Sequence, residues 1–415
     1  MNILISGASV SGPVLAYWLK RHGFTPTVVE KAPTLRKSGG HAVDLFKPAM
    51  DIVERMGALD AIMERKTGTE WITMIRRGTA KPVNIQVSRL MGGISARHVE
   101  IMRDDLSEVL YDATKDDVEY VFGDSITSIS GDGEVTFERG APRRFDLVIG
   151  ADGLHSNVRR LVFGPESSFT HWLGAYIAVA TIPNYLDLGD RMAGMPTVGR
   201  MVGVYSARHM DDARAFFFMR PAGQLDYHYR DTARQKELLR EQFADLGWET
   251  PRLLDEMDRA EVFYFDSVTQ LRMDTWSRGR VTLVGDAGYC PGPAVGGSTS
   301  IAVVGAYVLA GELAKELAGG QGAARGDHSR AFAAYESEMS EYVRRSRDFA
   351  MTAAKRLIPG SGAEVWALIN GARLFTSLPT RLTRAITRRG GGNLGMHDTF
   401  EPKDYGALTP AHPPA

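Results

Sequence analysis

Small residues and one carboxylate near the start of the chain stand where a dinucleotide could be bound. Residues 3–5 form an apolar run typical of a buried parallel strand. A turn of small residues follows, with the sequence Gly7-Ala8-Ser9-Val10-Ser11-Gly12. Residues 27–29 predict the next strand, and Glu30 comes directly after it. This strand–turn–helix–strand order is the context in which a G-x-G-x-x-G sequence binds a pyrophosphate.

Each part of this segment has a physical role in such a site. Gly7 allows the tight turn, and Gly12 lets the following helix pack closely on the sheet. Backbone amides at the helix start face the pyrophosphate, aided by the helix dipole. Glu30 follows Gly12 by 18 residues (30 − 12), near the usual spacing of about 20. Its carboxylate can accept hydrogen bonds from ribose hydroxyls and would repel a 2′-phosphate. The expected cofactor contacts here are Gly7, Ser9, Val10, Ser11, Gly12, Glu30 and the neighbouring Lys31.

One residue of this turn departs from the fingerprint. Ser9 stands where the second glycine is usual. Its hydroxymethyl group crowds the approach to a pyrophosphate, although serine is small and can donate a hydrogen bond. A strand–helix turn that binds no nucleotide is the alternative interpretation of this motif.

Two later segments also place small and acidic residues after predicted strands. Residues 145–149 read as a buried strand that leads into Gly150-Ala151-Asp152-Gly153, with Ser156, Val158 and Arg159 further on. Residues 281–284 predict another strand, which ends in Gly285-Asp286-Ala287. An apolar helix over residues 301–317 follows, and the residues that precede it include Pro293, Gly296, Gly297, Ser298, Thr299 and Ser300.

The three segments, in this order and spacing, resemble the class A flavoprotein monooxygenases, the p-hydroxybenzoate hydroxylase family. The resemblance covers residues 1–345 and implies one bound FAD, held without a covalent bond. It implies that Asp152 lies in a segment near both FAD and the reducing nicotinamide. It also implies that Asp286 binds the ribityl chain and that the helix start after Gly297 faces the flavin.

Further contacts follow from the same resemblance. Arg103 leads a helix and is expected to contact the cofactor, while Arg36 and Gly40 belong to a loop near adenosine and flavin. Around the third segment the implied contacts are Pro293, Gly296, Gly297, Ser298 and Thr299. The family commonly has histidine at the position of Tyr289, and glutamine, glycine and asparagine at the positions of Gly297, Ser298 and Ser300. These differences affect the contacts expected with the flavin ring.

The implied fold class is α/β, with a Rossmann-like FAD-binding domain interleaved with an antiparallel-sheet substrate domain and followed by C-terminal helices. The FAD-binding domain is expected to comprise residues 1–70, 98–167 and 276–345. The substrate domain is expected to comprise residues 71–97 and 168–275, and residues 346–415 form a C-terminal helical region and tail.

The substrate domain is expected to be rich in strands. Its predicted strands include residues 175–182, 201–206, 215–219 and 225–229. Aromatic residues concentrate here, and two or three of them are expected to line a pocket for a flat, apolar substrate. They are Phe216, Phe217, Phe218, Tyr227, Tyr229, Phe263 and Tyr264.

Composition narrows the class of protein. The chain has 415 residues, 44% of them hydrophobic and 24% charged, as is ordinary for a globular protein. Its net charge of −1 provides no general attraction to nucleic acid or to an anionic membrane. A single cysteine, Cys290, excludes an intrachain disulfide and agrees with a cytoplasmic protein. We expect no metal site and no stable membrane insertion.

The C-terminal part of the chain has fewer distinctive signals. Residues 319–322 have the spacing of a second dinucleotide motif but lack a preceding strand, so we reject that interpretation. A long helix is expected over residues 329–357, with Ser329 as its N-cap. Residues 373–389 are basic and amphipathic, and are expected to pack on the domain edge rather than on a membrane surface. The tail to Ala415 is expected to be extended or mobile.

The function implied by the resemblance is hydroxylation of an aromatic or polyketide-like molecule. NADPH or NADH would act as a transient reductant, and O₂ would react with the reduced flavin to give a C4a-hydroperoxide. An FAD-dependent reductase or dehydrogenase related to the prenyl reductases, without oxygen insertion, remains an alternative, as does a non-enzymatic flavin-binding protein. No catalytic residue can be assigned, although several side chains could titrate or bind a substrate phenol. They are His41, His209, His228, Tyr205, Tyr227 and Tyr289.

Overall fold

The structure is a computed structural model of the chain. It describes residues 1–35, 40–76, 78, 81–91, 95, 97–228, 230–293, 297–317, 327–379, 382, 398 and 400–406.

Strands and helices alternate in the first part of the chain, whereas in its middle several strands follow one another before the next helices. The strands of the described residues are β1 (Asn2–Ser6), β2 (Thr25–Glu30), β3 (Ala42–Phe46), β4 (Trp71–Met74), β5 (Val83–Gln86), β6 (His98–Met102), β7 (Glu119–Phe122), β8 (Ile126–Ile129), β9 (Glu134–Phe137), β10 (Arg143–Arg144), β11 (Leu147–Gly150), β12 (Thr170–Pro183), β13 (Arg191–Thr197), β14 (Arg200–Tyr205), β15 (Asp212–Met219), β16 (Phe263–Leu271), β17 (Ser277–Arg278) and β18 (Val281–Leu283). The helices are α1 (Ser11–Arg21), α2 (Lys47–Arg55), α3 (Leu59–Glu64), α4 (Val87–Met91), α5 (Arg103–Asp112), α6 (Asn157–Val162), α7 (Thr232–Phe243), α8 (Thr250–Arg259), α9 (Asp286–Tyr289), α10 (Ser298–Leu317), α11 (His328–Leu357) and α12 (Gly362–Ser377).

A six-stranded sheet carries all three of the motifs identified from sequence. Its order is β17-β18-β11-β1-β2-β7, and every pairing is parallel except that of β17 with β18. Ile3, Leu4 and Ile5 of β1 are fully buried, as expected for a strand covered on both faces. Since β1, β11 and β18 are neighbours, the turns at their carboxyl ends lie at one edge of the sheet.

A seven-stranded sheet forms the second layer. Its order is β16-β12-β15-β14-β13-β4-β5, and β13 and β4 form its parallel pair. One face packs against α7 and α8, where Phe217 meets the ring of Phe243. The other face, with Ile177, Phe216 and Phe218, packs against the end of α11. We call this second face, with the α11 residues that cover it, the apolar layer.

The predicted fold class is confirmed, since a mixed α/β fold contains both a parallel and a largely antiparallel sheet. A two-stranded ribbon of β3 and β6 lies between the two layers, and β8, β9 and β10 form a small antiparallel sheet. Among the described residues there is no helix with the length and apolar content needed to cross a membrane.

The predicted strand over residues 225–229 is wrong for residues 225–228, which form no strand; Tyr229 lies outside the described residues. The apolar residues of this alternating segment, Leu225 and Tyr227, instead pack on a face of the sheet. Tyr227 packs edge-to-face on Phe265, with ring centroids 4.9 Å apart. The amide of Leu225 donates to the hydroxyl of Tyr176 rather than to a neighbouring strand.

Two predictions for the C-terminal part also need correction. Asp327, not Ser329, caps α11, because its side chain accepts a hydrogen bond from the Ser329 amide. The tail is not extended or mobile throughout, since Tyr405 is buried against Tyr307. Residues 319–322 lie outside the described residues, as does most of the basic segment 373–389 beyond α12.

Candidate functional site

The turn after β1 is closed so tightly that two of its glycines admit no side chain. Gly7 has φ +110, and a Cβ there would lie 2.4 Å from the carbonyl oxygen of Ala151. A Cβ on Gly12 would lie 1.9 Å from the carbonyl oxygen of Gly7. Because Ala151 belongs to the second motif, this contact also brings the first two motifs together.

The start of α1 has the features of an anion-binding helix end. Val10 precedes the helix and makes no side-chain cap, and the first turn contains no acidic residue. Ser11, Gly12 and Pro13 are buried. A buried helix start without a side-chain cap leaves its amides and its positive dipole end for a ligand, as phosphate-binding helices do.

Glu30 lies at the end of β2 and fixes the backbone around this turn. Its carboxylate oxygens accept hydrogen bonds from the amides of Ala8 (3.0 Å) and Ala32 (2.8 Å). Each oxygen retains a further lone pair that ribose hydroxyls can use. Ser9 turns its hydroxyl toward that of Ser107, 3.1 Å away, while Lys31 is exposed to solvent.

The third motif packs directly on the first. A Cβ on Gly285 would lie 2.4 Å from the hydroxyl of Ser11. Asp286 follows, and burial raises the pKa of its carboxyl group, whereas the nearby Arg103 opposes that rise. The Cys290 thiol hydrogen bonds to Asp286, and burial raises the pKa of this thiol. All three motifs therefore meet at one place, as a single dinucleotide requires.

The segment that leads into α10 lies beside the same turn. Gly297 is buried immediately before the helix, and Ser298 and Thr299 form its first turn. Pro293 is half-buried, whereas Gly296 lies outside the described residues. The hydroxyl of Ser300 accepts from the Phe46 amide at 2.9 Å, which holds α10 against β3.

Asp152 makes most of its hydrogen bonds within its own segment, and it also accepts one from the Ser6 hydroxyl of β1 at 3.4 Å. It accepts from the amides of Asn157 and Val158 at the start of α6, and from the Ser156 hydroxyl. Burial raises the pKa of the Asp152 carboxyl group. This arrangement is a helix cap, so the contact of Asp152 with the cofactor stays a prediction. Arg159 links the second and third motifs by donating to the carbonyl oxygen of Ala287 at 2.9 Å.

A short loop before β3 places His41 between the two layers. The Arg214 Nε donates to the carbonyl oxygen of Gly40 at 3.2 Å, and the Ala42 amide donates to the Tyr205 hydroxyl at 2.8 Å. The Arg103 amide donates to the carbonyl oxygen of His41 at 3.0 Å. Three bonds thus hold three successive residues of the loop. Arg36, which was expected in the same loop, lies outside the described residues.

The side chain of His41 is neutral and stacked. Its ring lies over that of Tyr264, with centroids 5.5 Å apart and 30° between the planes. Burial and the neighbouring Arg103 lower the pKa of His41 to about 4. Arg103 therefore lies beside His41, Tyr264 and Asp286. A cation, a carboxyl group and a neutral imidazole line the space between the flavin motifs and β16.

Tyr264 is connected to the protein surface by a hydrogen-bonded chain. Its hydroxyl donates to Asp266 at 3.3 Å, and Asp266 lies 3.2 Å from the Nε2 of His155. Asp266 and Glu166 raise the pKa of His155 to about 10, so this ring is an imidazolium at neutral pH.

The sequence indicated some of these residues and missed others. Gly7, Gly12 and Glu30 were identified from the strand–turn–helix–strand pattern, and Arg103 and Asp286 from the family resemblance. The structure adds a second set, which carries no local sequence signal because its members meet across long separations. These residues are Arg214, Asp266 and His155, together with the pairing of His41 with Tyr264 and the bond from Ala42 to Tyr205, which the sequence indicated only as a possible partner of a substrate phenol.

The chain's own residues fit FAD. The uncapped helix start suits the pyrophosphate, Glu30 suits the adenosine ribose, and Asp286 with Arg103 suits the ribityl and phosphate region. No group of three or more metal-ligating side chains occurs among the residues that the structure describes.

Comparison with known proteins agrees with this geometry. The sequence profile of the FAD binding domain family matches residues 1–350. An uncharacterized protein of Mycobacterium tuberculosis is 47% identical over 351 residues, which cover 83% of this chain and 91% of that protein. A flavin-dependent monooxygenase of Legionella longbeachae is 39% identical over 84% of this chain and 87% of its own length. The crystal structure of the tetracycline destructase Tet(55) has a TM-score of 0.80 and 34% identity, covering 97% of this chain and 98% of that one.

Proposed function

The chain belongs to the FAD binding domain family of class A flavoprotein monooxygenases, and we propose that it hydroxylates a flat, largely apolar polyketide-like substrate with NADPH or NADH as reductant. It is an FAD-dependent monooxygenase. The observation that carries the proposal is the convergence of the three flavin motifs opposite the apolar layer. The convergence is established by two close contacts, that of Gly7 with Ala151 and that of Gly285 with Ser11.

The residues of the chain bind and orient the reacting groups. Bound FAD supplies the chemistry with oxygen, and the protein positions the flavin and excludes water. Asp286 and Arg103 would hold the cofactor, and the loop at His41 would contribute further contacts to it. Because the pKa of His41 is lowered to about 4, its ring is an uncharged hydrogen-bonding group at neutral pH.

The margin of the apolar layer, where residues are only partly buried, is the surface that suits the substrate. Phe216, Phe218 and Ile177 present buried rings and branched side chains on the sheet face nearest the flavin motifs. Met201 and Met192 are only partly buried at its margin, and methionine adapts to ligands of different outline. The likeness to a tetracycline destructase supports a fused-ring substrate such as tetracycline.

The cytoplasm is the compartment we propose for this enzyme, because it supplies NADPH and NADH. The lone thiol, Cys290, is buried, and burial raises its pKa, so it is poorly suited to disulfide exchange. Cell fractionation with an antibody to the protein tests this location directly.

Rapid anaerobic mixing of the FAD-bound enzyme with NADPH or NADH tests the function. Tetracycline should accelerate bleaching of the flavin absorbance, and admission of oxygen should then consume tetracycline. Acceleration with one coenzyme only would identify the reductant. Conversion of tetracycline without oxygen would instead indicate a reductase of related fold. No acceleration and no oxygen-dependent consumption would contradict the proposed substrate class.

A further inference from the structure

Arg347 of α11 is a half-buried cation, and two of its nitrogen atoms have no hydrogen-bond partner among the described residues. Its Nε and Nη2 are shielded from solvent and make no hydrogen bond within the described part of the chain. Burial and the neighbouring Arg272 lower the pKa of Arg347 to about 10, so it keeps its charge at neutral pH. The charged or ionisable neighbours that act on it are Arg272 and the Cys290 thiol.

Arg159 and Arg214, the fully buried arginines among the described residues, each pair with a carboxylate, although the Nε of Arg159 has no hydrogen-bond partner there. Arg159 donates to two carbonyl oxygens and to the Glu166 carboxylate at 2.8 Å. Arg214 pairs with Asp212 at 2.9 Å. A buried guanidinium that lacks such partners is costly, because its hydration is lost without replacement. Arg347 therefore has unused donors and an unbalanced charge, both of which an anion would satisfy.

The surroundings of Arg347 hold it in position. The Nε2 of Gln270 donates to the carbonyl oxygen of Arg347 at 2.8 Å, and Gln270 is fully buried. The Oε1 of Gln270 accepts from the Nη2 of Arg272 at 3.2 Å. Gln270 thus connects β16 to α11 and places a second guanidinium beside the first.

Arg347 stands where the flavin motifs meet the apolar layer. Ala350, one turn further along α11, is fully buried in that layer with Ala354 and Ile358. Cys290, which bonds to Asp286 of the third motif, is also close enough to act on the charge of Arg347. A ligand that places a flat apolar body on the layer can therefore present a polar edge to Arg347.

We propose that Arg347 binds an oxyanion of the substrate, either a carboxylate or a delocalised enolate, and so orients the apolar rings over the flavin motifs. The inference rests on the proposed function, since it assigns a polar group to the substrate of the same site. Guanidinium is suited to this role because its planar donors bind two oxygens at once. A phosphate of the nicotinamide coenzyme offers the same chemistry, so the experiment must separate the two sources.

Binding of a matched pair of probes to the FAD-bound enzyme tests the proposal. Salicylate and salicylamide share a flat ring but differ in charge, and perturbation of the flavin absorbance reports their binding. The wild-type enzyme should bind salicylate about ten- to a hundredfold more tightly, the range of a charge-assisted hydrogen bond. Arg347→Met should abolish this preference, while Arg347→Lys should retain part of it. Arg344→Met is the matched control, because Arg344 lies on the same helix, is exposed and pairs with Glu341 and Asp348.

Thermal unfolding of the same variants excludes a merely structural role. Removal of a half-buried charge whose Nε and Nη2 have no partner should leave the Tm of Arg347→Met unchanged or raise it. A lowered Tm together with an unchanged salicylate preference would overturn the proposal. Equal binding of salicylate and salicylamide by the wild-type enzyme, or no binding of either, would also overturn it.

The coenzyme arm uses anaerobic flavin reduction at increasing NADPH concentration. Arg347→Met should leave the NADPH concentration for half-maximal rate unchanged. A rise in that concentration with no change in salicylate binding would assign Arg347 to the coenzyme phosphate and overturn the substrate assignment. Oxygen insertion is measured separately, so failure of the binding test is distinguishable from failure of the monooxygenase function.

Discussion

Glu30 fixes the backbone of the turn, and we propose that the same carboxylate also binds the ribose of FAD. The amides of Ala8 and Ala32 already occupy one position on each oxygen. We predict that Glu30→Ala lowers FAD affinity about ten- to a hundredfold, through loss of charge-assisted hydrogen bonds to the ribose. Glu30→Gln should lose less, because it keeps one acceptor. Thr34→Ala, at an exposed position nearby, serves as the control. Titration of the FAD-free protein with FAD measures this, and an unchanged affinity in Glu30→Ala would remove Glu30 from the site.

His41 should make the stability of the fold depend on pH. Its pKa is lowered to about 4 in the folded chain but is about 6.5 in an unfolded one. Between these values the unfolded state binds more protons. The contribution of neutral His41 to the free energy of unfolding is therefore fully present above about pH 6.5 and is lost as the pH falls toward about 4. We predict that wild-type protein loses up to about 3 kcal/mol more than His41→Asn across this range. Urea unfolding at several pH values measures the difference, and parallel profiles would contradict the burial of a neutral His41.

The residues that sequence could assign belong to local motifs. Gly7 and Glu30 lie at strand ends in a strand–turn–helix–strand pattern, whereas the role of Asp286 came from the resemblance of its segment to the flavoprotein family. His41 and Tyr264 stack on each other although they lie far apart in the sequence, and no local sequence pattern indicates this contact. The role proposed for Arg347 could likewise not be predicted from sequence, because a basic residue in a long helix is usually exposed to solvent.

The turn between β1 and α1 is the element on which the site depends most. A Cβ at Gly12 would meet the Gly7 carbonyl oxygen at 1.9 Å, and backbone cannot yield there cheaply. We predict that Gly12→Ala costs at least about 1–3 kcal/mol and abolishes FAD retention. Gly131→Ala is the control, because nothing lies within 4 Å of its added Cβ. Thermal unfolding and flavin content of the purified variants measure both effects, and normal flavin content in Gly12→Ala would contradict the proposed docking.

The C-terminal tail is an element whose role the sequence did not reveal. The Tyr405 hydroxyl donates to the fully buried Glu312 of α10 at 2.7 Å. We predict that Tyr405→Phe destabilises the fold by about 1–3 kcal/mol, because it removes a donor from a buried carboxylate. Tyr17→Phe, whose ring packs on Trp18 in α1, should change stability by less than about 0.5 kcal/mol. Equal free energies of unfolding for the two variants would show that the tail does not brace α10.

Alternation of polar and apolar residues predicts a strand at residues 225–228, where the structure has none. Leu225 and Tyr227 do turn toward the sheet, as a strand with one covered face would require. They cover the rings of Tyr176 and Phe265 instead of extending the sheet. The alternating pattern therefore predicted correctly which side chains face the sheet. It could not predict the hydrogen-bond partners of the backbone, because these depend on the tertiary structure.

At the scale of the whole molecule, the two layers are joined through the loop at His41. Tyr205 and Arg214 of the seven-stranded sheet hold Ala42 and Gly40, and Arg103 holds His41. The sequence indicated both layers, because strand–turn–helix motifs and strand-rich stretches are local. The strand order of each sheet was not accessible, since it depends on packing between distant segments. The predicted domain boundaries stay a prediction.

The origin of the oxygen atom in the product tests the central claim most directly. The FAD-bound enzyme is supplied with NADPH or NADH and tetracycline under ¹⁸O₂, and the product mass is compared with that formed in ¹⁸O-labelled water under ordinary oxygen. We predict that one labelled atom enters from ¹⁸O₂ and none from water. A product that takes its new oxygen only from water, or gains no oxygen at all, would contradict the monooxygenase function while leaving the FAD site intact.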